Sequence, residues 1–201
     1  MSRRLDDFIE SYLEYTKNSE SPLSYHLWSC IGVISSVLQR KVYMEWGHTT
    51  IYPNQYICLI GPSGVRKGEP LTIAQTLLDR IPRMQMVAEA ITKQALIKRI
   101  KESMDAFSAD DRMAMQCAVT ILAEEFAIFL GDNDTGFLAD LTAWYDARGK
   151  WTYETKHSGK DEIIGVCVNI LASMAPDWIP VSIPTAAIGG GFTSRILFVV
   201  E

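Results

Sequence analysis

Between Ile60 and Glu69 the chain reads Gly61-Pro62-Ser63-Gly64-Val65-Arg66-Lys67-Gly68, glycines ahead of a lysine, and that spacing suits the holding of phosphate. Glycine lets successive backbone N–H groups turn inward around phosphate oxygens, and a following helix adds the partial positive charge of its first turn. Lys67 would reach the terminal phosphates as a point charge. The stretch departs twice from GxxxxGK[ST]. Arg66 stands where the second glycine belongs, which is tolerable if the backbone there keeps a negative φ. Gly68 stands where a magnesium-binding hydroxyl belongs, so a water, or Thr72, would have to complete the metal's shell. A glycine-rich turn between strand and helix, with no ligand, would show the same residues.

A second signal is Val119-Thr120-Ile121-Leu122-Ala123-Glu124-Glu125, an apolar run that ends in two adjacent acids. In additional-strand P-loop NTPases a buried strand ends this way. The first acid orients magnesium and its waters, and the second polarises the attacking water. Glu124 would take the first role, contacting the metal through water, and Glu125 the second. An acidic helix start accounts for the same pair, because carboxylates favour helix N-termini.

The chain resembles the helicase-like ATPases of phages and prophages, which stand near the hexameric RecA-like and AAA+ motors and the superfamily-three-type helicases. IYPNQYICLIGPSGVRKG is similar to that family's loop, ILAEE to its acidic strand, NILASMAP to its sensor strand, and GGGFTSRILFVVE to its closing arginine strand. The resemblance implies ATP hydrolysis completed between neighbouring subunits of a ring, and translocation on DNA. It implies sensor roles for Asn169 and Ser173, with Ser173 at the strand tip beside the nucleotide. It implies that Arg195, after Gly189-Gly190-Gly191, is a finger for a neighbour's γ-phosphate. A satisfied strand-end serine and a surface arginine are the plainer alternatives. Such helicases also insert a β-hairpin with a basic tip lining the pore. Lys150 to Lys160 alternates like a hairpin around Ser158-Gly159, with Lys156, His157 and Lys160 at its tip. Trp151 and Tyr153 stand at its base, where they would pack on the core or stack on bases.

The elements that must position these residues follow from periodicity. Leu5, Phe8, Ile9, Tyr12 and Leu13 recur at helical spacing, and a second helix runs from Pro22 to about Leu38. KVYMEW, from Lys41, reads as a strand, and 47–54 as a loop. Strands are then expected at 56–60, near Met86, at 118–123, 151–156, 163–172 and 195–200, with helices at 67–80, 93–104 and 136–147. The stretch 105–114 reads as a polar connection. Strands alternating with helices predict an α/β fold with a mainly parallel sheet, here a P-loop NTPase core of RecA-like or AAA+ type. Residues 1–46 would form a helical N-terminal segment and 47–201 the core. An apolar strand directly before the last residue suggests a piece of a longer protein.

Composition bounds the reading. Of 201 residues 48% are apolar and 21% charged, ordinary globular values, and the net charge of -5 argues against a protein coated in positive charge for duplex DNA. A single-strand grip needs only a local basic stripe. Cys30, Cys58, Cys117 and Cys167 form no CxxC pair and sit in apolar surroundings, which fits buried reduced thiols better than zinc. Pro176, Asp177, Pro180 and Pro184 break the one charge-poor stretch, so no membrane span is expected. The reading is a cytoplasmic ATP- and magnesium-dependent replicative helicase of phage type, a homo-oligomeric ring on single-stranded DNA. The alternatives are another P-loop motor, such as a packaging ATPase or helicase loader, or a nucleotide-binding scaffold that no longer hydrolyses, which Gly68 favours.

Overall fold

The computed structural model describes residues 5–87, 89–109, 112–131, 134–155 and 159–201. Asp7 caps α1 (Phe8–Thr16) by accepting the Glu10 N–H at 2.9 Å, satisfying a donor that a helix start leaves free. After a turn at Ser19–Pro22, α2 (Leu23–Leu38) begins directly behind the proline. The expected strand at KVYMEW is short: β1 is Met44–Trp46. It pairs antiparallel with β2 (Thr49–Ile51), so 47–54 is not wholly loop. The turn between them uses Gly47 at φ +59°.

The remaining elements are β3 (Tyr56–Ile60), α3 (Gly68–Leu78), β4 (Met86–Val87), α4 (Lys93–Glu102), β5 (Met104–Ala109) and β6 (Arg112–Ala123). There follow α5 (Phe126–Leu130), α6 (Thr135–Tyr145), β7 (Lys150–Thr155), β8 (Gly159–Ile164) and β9 (Val166–Met174). The short helices α7 (Ile179–Ser182) and α8 (Thr185–Gly189) precede β10 (Ile196–Val200). Two expectations are corrected. In the stretch read as a polar connection, residues 105–109 and 112–114 belong to the antiparallel pairing of β5 with an extended β6, whose hydrogen bonds hold a segment with little apolar alternation of its own. Ile163 and Ile164 belong to β8, and a turn at Gly165 separates them from β9.

The sheet order is β10-β3-β9-β6-β4, every neighbouring pair parallel, with β5 added antiparallel to β6. All residues of β3 and β9 are buried, as strands covered on both faces must be. Period-two alternation divides β3 between two cores. Ile57 and Leu59 pack with Tyr25 and Val33 of α2 and Leu71, Ala74 and Leu78 of α3. Tyr56, Cys58 and Ile60 face the larger cluster with Leu96 and Ile100 of α4, Phe126 and Phe129 of α5, and Leu141 and Trp144 of α6. The N-terminal helix α2 therefore covers the sheet itself. All four cysteines are buried and free, and burial pushes the Cys167 thiol up to about 12. Among the described residues no helix is long and apolar enough to cross a membrane.

Candidate phosphate-binding site

Register brings three strand tips together. Leu59 and Ile60 pair with Ser173 and Met174, and Ala123 pairs with Ala172. The chain that leaves β3 at Gly61, the Ser173 end of β9 and the Glu124 that follows β6 thus lie at one end of the sheet. Open α/β sheets bind ligands outside the carboxyl ends of their strands.

The loop 61–67 turns out of β3 into α3. Gly64 sits at φ +91° with open space around its Cβ position, so glycine is needed there for conformation alone. Arg66 corrects the sequence expectation: its φ is +62°, in the left-handed region. A side chain pays about 1 kcal/mol or more for that conformation. Neighbouring groups hold it. Ser21 Oγ donates to the Arg66 carbonyl at 3.0 Å, and Arg66 Nε lies 2.8 Å from Glu20 Oε2. Behind the loop, the Tyr25 hydroxyl donates to the Ile60 carbonyl at 2.6 Å. The Ser19–Pro22 turn and α2 therefore clasp the loop from outside, and sequence reasoning saw in that turn only a break between helices.

Within the loop, Val65 donates its N–H to Pro62 and Glu69 donates to Arg66. Among the described residues the N–H groups of Ser63, Gly64, Arg66, Lys67 and Gly68 have no protein acceptor. Lys67 Nζ bridges the Gly61 and Pro62 carbonyls at 2.7 and 2.8 Å, folding the cation across the loop. The loop thus carries five backbone donors without a protein acceptor, with the Lys67 cation held across it, at the start of an eleven-residue helix.

Glu124 meets that helix start. A Cβ built on Gly68 would lie 3.6 Å from Glu124 Oε2, so a side chain at position 68 would point at this carboxylate. Thr72 Oγ1, one turn into the helix, donates its proton to the Gly68 carbonyl at 3.0 Å. Ser173 Oγ donates to the Glu124 carbonyl at 2.6 Å and fixes the exit of β6. Glu125 is exposed, and its N–H donates to Glu89 Oε2 at 3.1 Å. Glu89, just beyond β4, is a third carboxylate that sequence reasoning missed, since a two-residue strand announces no tip. A cleft of about 570 Å³ opens beside Glu125, lined by Ile128, Trp178, Val181 and Ser182 among others.

Two expected site residues lie elsewhere. Asn169 shares a face with Ser173 but is four residues back along β9, roughly 13 Å away. Its Oδ1 accepts the Gln55 N–H at 3.0 Å and also the Ser35 hydroxyl, so it joins α2 to the entry of β3. A sensor contact by Asn169 is thereby corrected to a structural one. Arg195 precedes Ile196, which pairs with Tyr56 at the far end of β3, so its own loop is roughly 15 Å away. In the hairpin, Lys156 and His157 lie outside the described residues, and of Lys160 only the backbone, paired with Glu154, is described. Trp151 and Tyr153 pack on the larger core, with the Trp151 ring edge-on to Trp144 at 5.3 Å.

No protein-family model matches the chain, and no curated protein matches it in sequence.

Proposed function

We propose that the chain is a P-loop NTPase core that binds ATP on the loop 61–68, hydrolyses it with magnesium, and drives an oligomeric motor on single-stranded DNA of the phage replicative-helicase kind. The observation that carries this reading is the donor cradle at the tip of β3, with Lys67 folded over it and Glu124 against the helix that follows. The strand order supports it. β9 lies between the loop strand and the acidic strand, the feature for which the additional-strand class is named. On this reading the loop N–H groups and Lys67 hold the phosphates, Glu124 holds a magnesium ion through water, and Glu125 orients and polarises the attacking water. The metal supplies charge neutralisation on the phosphate oxygens.

Gly68 favours a second reading, a nucleotide-binding scaffold without turnover, because the first residue of α3 carries no hydroxyl for a metal ion. The test is ATP binding and magnesium-dependent turnover by wild type, Lys67→Ala and Glu125→Gln. The motor reading expects lost affinity in the first variant. In the second it expects retained affinity with turnover down about a hundredfold or more. Normal binding and hydrolysis by K67A would end the loop assignment. Binding without turnover by wild type, with or without DNA, selects the scaffold. Strand-displacement assays then separate helicase from packaging or loading.

A further inference from the structure

Arg195 is held by its own subunit at three points. Nε and Nη2 both donate to Asp146 Oδ1, at 3.0 and 2.8 Å, and Nη1 donates to the Gly191 carbonyl at 2.9 Å. Asp146 is the residue that ends α6, and the ring of the adjacent Tyr145 lies 5.9 Å from the guanidinium carbon. Gly191 has φ +85°, and a Cβ there would fall 2.9 Å from Arg195 Nη1. The carbonyl that accepts Arg195 therefore sits on a residue whose backbone conformation favours glycine, and a side chain there would push the Arg195 tip aside. This gives the last of the three glycines a definite task.

A guanidinium carries five N–H donors. Three are engaged, which leaves one on each terminal nitrogen, and among the described residues nothing else bonds to Arg195. Two donors on a planar, permanently charged group suit a phosphate, which arginine grips at two points. The pair is 27% exposed on each side, dry enough to stay formed and open enough to be touched. Arg148 reaches the other oxygen of Asp146 at 3.3 Å, but it is 71% exposed and contributes little at such a site.

We propose that Asp146 is the positioning residue for Arg195: with Gly191 it fixes the guanidinium by one side so that its remaining donors meet the terminal phosphate bound by a neighbouring copy of this chain. The inference rests on the ATPase reading above and on Arg195 acting between subunits. In this role Asp146 acts only through the arginine.

The experiment measures ATP turnover, KM for ATP and thermal midpoint for the full chain as wild type, D146A, D146N, R195A, the double variant R195A/D146A, and R148A. D146A is expected to lower kcat about tenfold or more, toward the R195A level, with KM unchanged because each subunit keeps its own phosphate loop. The double variant should be no slower than R195A, because without the arginine there is nothing to position. D146N, which keeps shape and acceptor but not charge, should fall between. R148A should match wild type. Mixing D146A with K67A subunits should recover turnover, since the K67A copies present an intact arginine to intact loops. If D146A does not fold, D146N decides alone. Wild-type kcat in both Asp146 variants while R195A is slow overturns the positioning role and leaves the ATPase reading standing. Losses that multiply in the double variant also overturn it, as they would show a role independent of Arg195. Absence of turnover in wild type sinks the reading on which it rests.

Discussion

At the scale of single residues the loop shows two opposite solutions to one backbone problem. Gly64 and Arg66 both take positive φ, but only the first is a residue that does so without cost. Arg66 is kept there by Ser21 and Glu20, the latter through an exposed pair worth little by itself. Gly64→Ala should then destabilise the protein by about 1 kcal/mol, all of it conformational because nothing crowds the position. Arg66→Gly should change stability by less than about 0.5 kcal/mol, since strain relief is offset by a freer unfolded chain. Urea midpoints at constant m value measure both. A marked loss in R66G would show that its side chain holds the loop in a way its one ion pair does not account for. The glycine–lysine spacing was legible in sequence, whereas the sign of φ at Arg66 was not, because three-dimensional neighbours impose it.

Among the elements, those with strong local patterns were legible: α2, β3, α3 and α6 fall close to where periodicity put them. Pairing partners were not. β2 and β5 have weak apolar alternation and exist because a neighbouring strand offers hydrogen bonds, which no local window reveals. The same limit hid Glu89 and Asp146, whose roles come from contacts across the fold. Nor could sequence show that the α1–α2 pair is wired to the loop 61–67. His26 Nε2 lies 2.8 Å from Ser19 Oγ, the same oxygen accepts the Ser21 N–H, and Ser21 Oγ donates to the Arg66 carbonyl. Burial lowers the His26 pKa below its ordinary 6.5, with Glu69 opposing. A depressed folded pKa means that the unfolded chain binds the extra proton first. The stability contributed by neutral His26 is therefore complete above about pH 6.5 and is lost as pH falls through the folded value. Thermal midpoints taken downward from pH 7.5 should decline below 6.5 in wild type and decline less in His26→Gln. Equal declines would assign the acid sensitivity to other groups.

Across the whole molecule the sheet has two chemical poles: the loop 61–68, with its unbonded donors, at the carboxyl end of β3, and the Arg195–Asp146 pair at the opposite end. A ring would bring the second pole of one copy to the first pole of the next. The β7–β8 hairpin follows Asp146 by a short link, and its base is tied down by ion pairs within the chain. Lys150 lies 2.8 Å from Glu162, and Lys101 lies 2.6 Å from Asp161. Trp151 and Tyr153 are partly buried against the core, which takes ring area away from stacking on bases. A protein of net charge -5 can hold an anionic strand only where positive charge is concentrated. If Lys156 and Lys160 each neutralise one phosphate, replacing both with Gln should weaken single-strand binding at low salt. The slope of log affinity against log salt should become shallower by about 1.4, since each contact on a single strand accounts for about 0.7. The loss should not depend on base sequence, because lysine contacts to phosphate carry no base information. Lys150→Gln is the contrast: its charge already faces Glu162, so the slope should stay at the wild-type value. Basal ATP turnover should persist in the double variant while its stimulation by DNA is lost. Salt titrations that superimpose for wild type and the double variant would remove the hairpin from the DNA path and leave the nucleotide site untouched.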